Sequence, residues 1–128
     1  MYNEKVLEHF MNPRNVGIIE DADAIGIEGN PVCGDTMKMY LKIKDDIIVD
    51  VKFQTLGCGA AIATSSIATE MLKDRPLEEA RRMTSRKIAD ALGGLSPGKI
   101  HCSVLAADAL KSALASYEAQ RQGADTSN

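Results

Sequence analysis

Three cysteines carry the reactive chemistry of this chain. Cys33, Cys58 and Cys102 stand 25 and 44 positions apart, too far for a compact C-x-x-C zinc knuckle, so any site they share has to be assembled by tertiary folding. Each has a small or polar neighbour: Cys33 in Asn30-Pro31-Val32-Cys33-Gly34-Asp35, Cys58 in Gly57-Cys58-Gly59, and Cys102 directly after His101. If the three converge, Asp35 and His101 come with them, because each lies within two residues of a cysteine. The result is three thiols with one imidazole and one carboxylate nearby. Thiolates suit zinc, copper(I) or iron–sulfur units, whereas a carboxylate is a harder and more easily exchanged ligand. A single free cysteine is about as often a small buried hydrophobe as a functional thiol. All three at structural junctions shift that balance.

The junctions follow from the periodicity around them. Asn3 can cap a short amphipathic helix to Met11 with Val6, Leu7 and Phe10 on its apolar face, and Asn12, Pro13, Asn15 and Gly17 then break it. Ala24 to Glu28 suits a short strand. From Thr36 to Lys44 the alternation is clear, with Met37, Met39, Leu41 and Ile43 on one face and Lys38, Tyr40, Lys42 and Lys44 on a wet one. Asp45-Asp46 makes a turn, after which Ile47, Val49, Val51 and Phe53 alternate with Ile48, Asp50, Lys52 and Gln54. An antiparallel hairpin is expected. Past Gly59, Ala63, Ile67 and Met71 recur at helical intervals up to Lys73. Pro76 starts a short helix through Arg82, and Thr84 caps another that stops at Gly93-Gly94. Leu95 to Lys99 reads as irregular, and a last helix runs from near Ser103 to about Arg121 with Leu110, Leu114 and Tyr117 as its stripe.

The expected fold is α+β: a small antiparallel three-stranded sheet with helices packed on one face. Residues 1–122 form one domain and 123–128 a flexible tail. Cys58 and Cys102 then precede helix N-termini, where unpaired N–H groups favour thiolate over thiol. His9 reads as a surface or boundary residue, and Met37, Met39 and Met71 as flexible core filling rather than metal ligands.

Composition removes several functions. The formal net charge of −3 provides no excess positive field for a phosphate backbone, and 4% aromatic residues without Trp leave little for base stacking. Nucleic acid is therefore not the expected partner. No apolar run approaches the roughly 20 residues of a membrane span, and the charged, amphipathic start does not read as a leader. An odd cysteine count argues against a disulfide framework and for a reducing, cytoplasmic setting.

Five segments, Glu4-Lys5-Val6, Asn12-Pro13-Arg14-Asn15-Val16-Gly17, Cys33-Gly34-Asp35, Gly57-Cys58-Gly59-Ala60-Ala61-Ile62-Ala63-Thr64-Ser65-Ser66 and Lys99-Ile100-His101-Cys102-Ser103, occur in an order and spacing that resemble the U-type iron–sulfur cluster assembly scaffolds, the IscU and NifU N-terminal family. The resemblance runs from Tyr2 to about Tyr117. It implies a non-enzymatic scaffold on which Cys33, Cys58 and Cys102 hold a nascent cluster, with Asp35 or His101 as the exchangeable fourth ligand. The cargo would be a 2Fe-2S cluster, convertible to 4Fe-4S, built from iron and from persulfide sulfur of a cysteine desulfurase and passed to acceptor apo-proteins. A ferredoxin that supplies electrons and a frataxin-like protein that tunes sulfur delivery are also implied; zinc in the resting state and a cluster-dependent homodimer are left open.

Members served by a DnaK-type chaperone carry Leu-Pro-Pro-Val-Lys before the His-Cys pair, where this chain has Leu95-Ser96-Pro97-Gly98-Lys99. The resemblance therefore does not extend to chaperone-driven release. The alternative is a zinc-bound persulfide acceptor of the SufU type, a branch that lacks the histidine before the last cysteine and carries an insertion there. No later C-x-x-C segment marks the further domains of full-length NifU.

Three thiolates and one carboxylate around a 2Fe-2S unit of charge 2+ leave a formal charge of −2, which nearby N–H groups and helix N-termini favour. Lys99 adds positive charge if it points inward; otherwise it is a solvated loop lysine. Gly57 and Gly59 let the backbone approach the cluster or merely turn the chain. Ala60, Ala61 and Ala63 either keep the site shallow or pack the helix.

Overall fold

The alternating segment after Asp35 forms a hairpin whose turn is set by two aspartates. Asp45 and Asp46 have φ of 53° and 60°, the pair of positive angles that a two-residue type I′ turn requires and that Asp tolerates better than bulkier residues. The computed structural model describes residues 3–30 and 35–126. Its elements in chain order are α1 (Glu4–Met11), β1 (Ala24–Asn30), β2 (Asp35–Lys44), β3 (Ile47–Leu56), α2 (Gly59–Leu72), α3 (Leu77–Arg81), α4 (Ser85–Ala91), a 3-10 turn (Pro97–Lys99) and α5 (Ile100–Thr126). The strands pair antiparallel in the order β1-β2-β3. Among the described residues no helix is long and apolar enough to cross a membrane.

β2 buries Met37, Met39, Leu41 and Ile43, as its alternation predicts. β3 departs from its pattern. Lys42 pairs with Asp50 but Ile43 pairs with Ile48, so Val49 is an extra residue without a partner. Ile48 is buried in consequence, while Ile47 and Val49 face outward, and the predicted alternation holds only from Val51 and Phe53 onward. Backbone bonds account for the bulge: Ile48 donates to the Arg75 carbonyl and accepts from Asp74, while the Ile43 N–H goes to the Asp23 carboxylate. Tyr40, expected on the wet face, is buried there, with its hydroxyl donating to Gln54 and Lys38 over its ring.

α5 crosses the inner face of the sheet closely enough that β1 needs glycine. A Cβ at Gly26 would meet the Ala109 carbonyl oxygen at 2.0 Å and the Ala113 nitrogen at 2.6 Å. The main core joins Met37, Met39, Leu41, Ile48 and Val51 of the sheet to Leu105, Leu110 and Leu114 of α5. Each such side chain contributes on the order of 1.5–3 kcal/mol, against about 0–1 kcal/mol for an exposed pair such as Arg82–Glu78. Burial of that core holds the fold.

α2 runs through the interior. Ala60, Ala61, Ala63, Thr64, Ser65, Ser66, Ala68, Thr69 and Leu72 are all buried. Its hydroxyls avoid a desolvation penalty by bonding backwards: Thr64 and Ser65 donate to the Ala61 carbonyl and Thr69 to that of Ser66. α1 packs on this helix with a different face from the one predicted. Val6 joins Ala63 and Leu92 in a small cluster, whereas Leu7 and Phe10 are 43% and 40% exposed. His9, read as a surface or boundary residue, is buried beside Ser66, 2.8 Å from Nδ1 to Oγ. Burial, and then the Arg14 charge, hold its imidazole below the ordinary value.

Ser66 Oγ also accepts the Arg14 N–H at 2.9 Å, and Asn15 reaches Thr69 Oγ1. Removing one hydroxyl therefore strands two partners. Ser66→Ala is expected to lower unfolding free energy by about 1–3 kcal/mol, measured by urea denaturation of the apo-protein; an unchanged midpoint would show that the bonds contribute nothing net.

The remaining ends are capped as the sequence suggests. Asn3 accepts from Val6 N and donates to the carbonyls of Leu92 and Gly94, clipping α1 to the end of α4. Thr84 accepts from Lys87 N. α5 is longer than predicted. Proline at the start of the 3-10 turn leads the chain into the helix at Ile100 rather than near Ser103, and the helix continues to Thr126, past the expected end near Arg121 and into the segment predicted as tail.

Candidate metal centre

Hairpin register brings the first two components together. Thr36 lies opposite Leu56, so Asp35 at the start of β2 sits beside Gly57, and Cys58 follows at the corner where the chain leaves the sheet. Cys58 is the N-cap of α2 with extended backbone and no side-chain capping bond, which leaves its sulfur available. α5 supplies the third component by packing on α2 and the sheet. Thr64 Oγ1, besides its own-helix bond, is 3.4 Å from the Cys102 carbonyl and ties the two helices at this level. Sequence alone gave no sign of this link, because a hydroxyl inside a helix normally bonds its own backbone.

One ligand atom each from Asp35, Cys58 and Cys102 lies within 4.8 Å of the others. The two sulfurs are 3.8 Å apart. That is far beyond a disulfide of about 2.05 Å. It matches the roughly 3.8 Å edge that two thiolates make when each stands about 2.3 Å from one tetrahedral metal. His101 Nε2 is 3.4 Å from Asp35 Oδ2 and 3.6 Å from Cys102 Sγ. Four of the five predicted donors therefore share one corner of the molecule. Cys33, the fifth, lies outside the described residues.

Exposure differs across the group. Cys102 is fully buried and Asp35 is buried, Cys58 is half-buried, and the His101 side chain is 40% exposed. Cys102 does not precede its helix as predicted; it sits within the first turn of α5, packed with Ala60, Ala61 and Cys58. Ala63 faces the α1 cluster instead, so of the three alanines only Ala60 and Ala61 border the site.

The two thiols are electrostatically unequal. Burial pushes Cys58 upward, but the N–H groups of Ala61 and Ala60, the Cys102 thiol and the Lys99 charge bring it below the ordinary thiol value. Burial pushes Cys102 up to about 12, with the Cys58 charge and hydrogen bond and the Asp35 carboxylate adding to it and Lys99 opposing. At neutral pH Cys102 therefore keeps its proton and can donate it to the Cys58 sulfur. A thiophilic cation held there would displace that proton. Lys99, half-buried at the end of the 3-10 turn, acts on both sulfurs. Gly59 is the first residue of α2. Met37 and Met39 are core residues and Met71 packs against the core.

Two thiols, a buried carboxylate and an imidazole at the edge of a three-stranded sheet define a small α+β domain whose donor set suits a thiophilic metal. Comparison with known proteins identifies which. The family model for the NifU-like N terminal domain matches residues 1–124. The iron–sulfur cluster assembly scaffold protein IscU 1 of Archaeoglobus fulgidus is 62% identical over 117 residues, covering 91% of this chain and 76% of that protein. IscU of Escherichia coli K12 is 48% identical over 125 residues, covering 94% and 97%. The crystal structure of a nitrogen-fixing NifU-like protein (N-terminal) from Brucella abortus shares the fold, with a TM-score of 0.73 at 21% identity over 91% of this chain and 93% of that one. The chain belongs to the NifU-like N-terminal domain family.

Proposed function

We propose that this protein is a non-enzymatic scaffold on which an iron–sulfur cluster is assembled and from which it is handed on. The observation that carries the proposal is the convergence of Cys58, Cys102 and Asp35 from three separate elements onto one metal-sized space, in a chain 48–62% identical to proteins named as IscU scaffolds. In this reading Cys33, Cys58 and Cys102 hold a 2Fe-2S unit as cargo. Asp35 is the exchangeable fourth ligand. His101, within 4 Å of both Asp35 and Cys102, stands ready to replace it.

The chemistry of the donor set supports a temporary hold. Four thiolates would retain a cluster, whereas three with a carboxylate leave one iron on a ligand that departs readily. Sulfur arrives as persulfide from a cysteine desulfurase under tuning by a frataxin-like protein, electrons come from a ferredoxin, and acceptor apo-proteins take the product. Zinc fits the same donors.

Anaerobic reconstitution with iron, cysteine and a desulfurase tests the proposal. The expected result is visible absorption with about two iron and two sulfide per site. Persulfide transfer that requires zinc and proceeds without iron would replace it with the zinc-bound acceptor reading.

A further inference from the structure

Gly57 has a role that its sequence context does not suggest. A Cβ built there would stand 2.7 Å from Asp35 Oδ1, 3.0 Å from Asp35 Cγ and 3.2 Å from the Ala61 methyl. Those separations are inside the roughly 3.5–4 Å of ordinary non-bonded contact. The space a side chain would take is filled by the carboxylate. The backbone itself does not demand glycine: the positive-φ glycines among the described residues are Gly17, Gly93 and Gly94. An alanine at position 57 therefore meets one obstacle, the Asp35 side chain with Ala61 behind it.

We infer that Gly57 is a positioning residue for the Asp35 carboxylate, its missing methyl being what lets that group lie beside the Cys58 and Cys102 sulfurs. The inference rests on the scaffold reading and deepens it, since it assigns to Gly57 the placement of the exchangeable ligand. Neither neighbour's backbone is placed to retreat and make room. Asp35 is held in register opposite Asn30, and Ala61 is on the buried first turn of α2. What can move is the carboxylate, which swings about its own side-chain bond and leaves the sulfurs and His101 behind. Gly57→Ala thus produces the donor set of Asp35→Ala while Asp35 is still in the chain.

The experiment compares the wild-type chain with Gly57→Ala, Asp35→Ala and the double variant. Each is loaded with Co2+ alone under anaerobic conditions and its absorption spectrum recorded, because ligand-field bands report which donors are bound. Gly57→Ala and the double variant should both give the Asp35→Ala spectrum, distinct from wild type. After cluster loading, Gly57→Ala should lengthen the transfer half-life by the same factor as Asp35→Ala, about tenfold, with no further change in the double variant.

A wild-type cobalt spectrum for Gly57→Ala overturns the inference, as does a double variant that departs from Asp35→Ala, or identical spectra for wild type and Asp35→Ala. Should Gly57→Ala fail to fold while the double variant folds, the contact with Asp35 is the cause and the inference stands; if neither folds, it falls. Cobalt uptake needs neither iron nor sulfide. A wild-type chain that binds cobalt but never accumulates a cluster therefore counts against the scaffold reading alone.

Discussion

Cys58→Ala is expected to reduce cluster assembly to background. Iron and sulfide after anaerobic reconstitution should fall from about two of each per site to a small fraction of that, and the visible bands should vanish. Cys58 is the informative cysteine because its removal costs the fold little: it is half-buried and makes no side-chain capping bond. Cys102 would confound the test, since it is fully buried against Ala60 and Ala61 and its loss opens a void as well as removing a sulfur. Circular dichroism and the thermal midpoint of apo Cys58→Ala should match wild type, assigning the loss to the missing ligand. Bands that persist in Cys58→Ala would remove the sulfur at the helix corner from the site and with it the proposed function.

Asp35→Ala is expected to act in the opposite sense, lengthening the half-life of transfer to an apo-acceptor by about tenfold. The carboxylate is the hardest donor of the set and the one an incoming thiolate displaces most readily. With it gone, His101 Nε2, already 3.6 Å from Cys102 Sγ, takes the vacant position, and imidazole leaves iron less readily than carboxylate. One negative charge is also removed from an anionic cargo site. Stopped-flow or visible absorption with an excess of apo-acceptor gives the half-life. Transfer as fast as wild type, or faster, would place Asp35 outside the release step.

The hairpin and the junction at Cys58 could be read in advance because their signals are local: period-2 alternation, paired turn aspartates, and glycines on both sides of a cysteine where alternation gives way to helical spacing. Features imposed from a distance could not. The bulge at Val49 is set by backbone bonds to Asp74 and Arg75, which no pattern within the strand contains. α1 turns His9 inward, leaving Leu7 and Phe10 partly exposed, because its polar partner is Ser66 on another helix. Ser103 has the character of a cap, so the last helix was expected to begin there. Its hydroxyl instead bonds the Ile100 carbonyl inside a helix already under way, which carries Cys102 into the first turn. At the site, residue types and neighbours pointed to Asp35 and His101, but only coordinates reveal that Gly57 makes room for a carboxylate rather than for backbone.

The absence of clearance between α5 and β1 at Gly26 bears on how the cargo lets go. Backbone lies against backbone there with no room for a side chain between helix and strand, which makes the sulfur that α5 carries the firmer jaw of a clamp. The opposing jaw is the short Asp35 side chain, a buried carboxylate 3.4 Å from His101 Nε2. In the proposed scaffold, unfastening would start at that exchangeable carboxylate, with the helix-borne thiolate the last to release its grip.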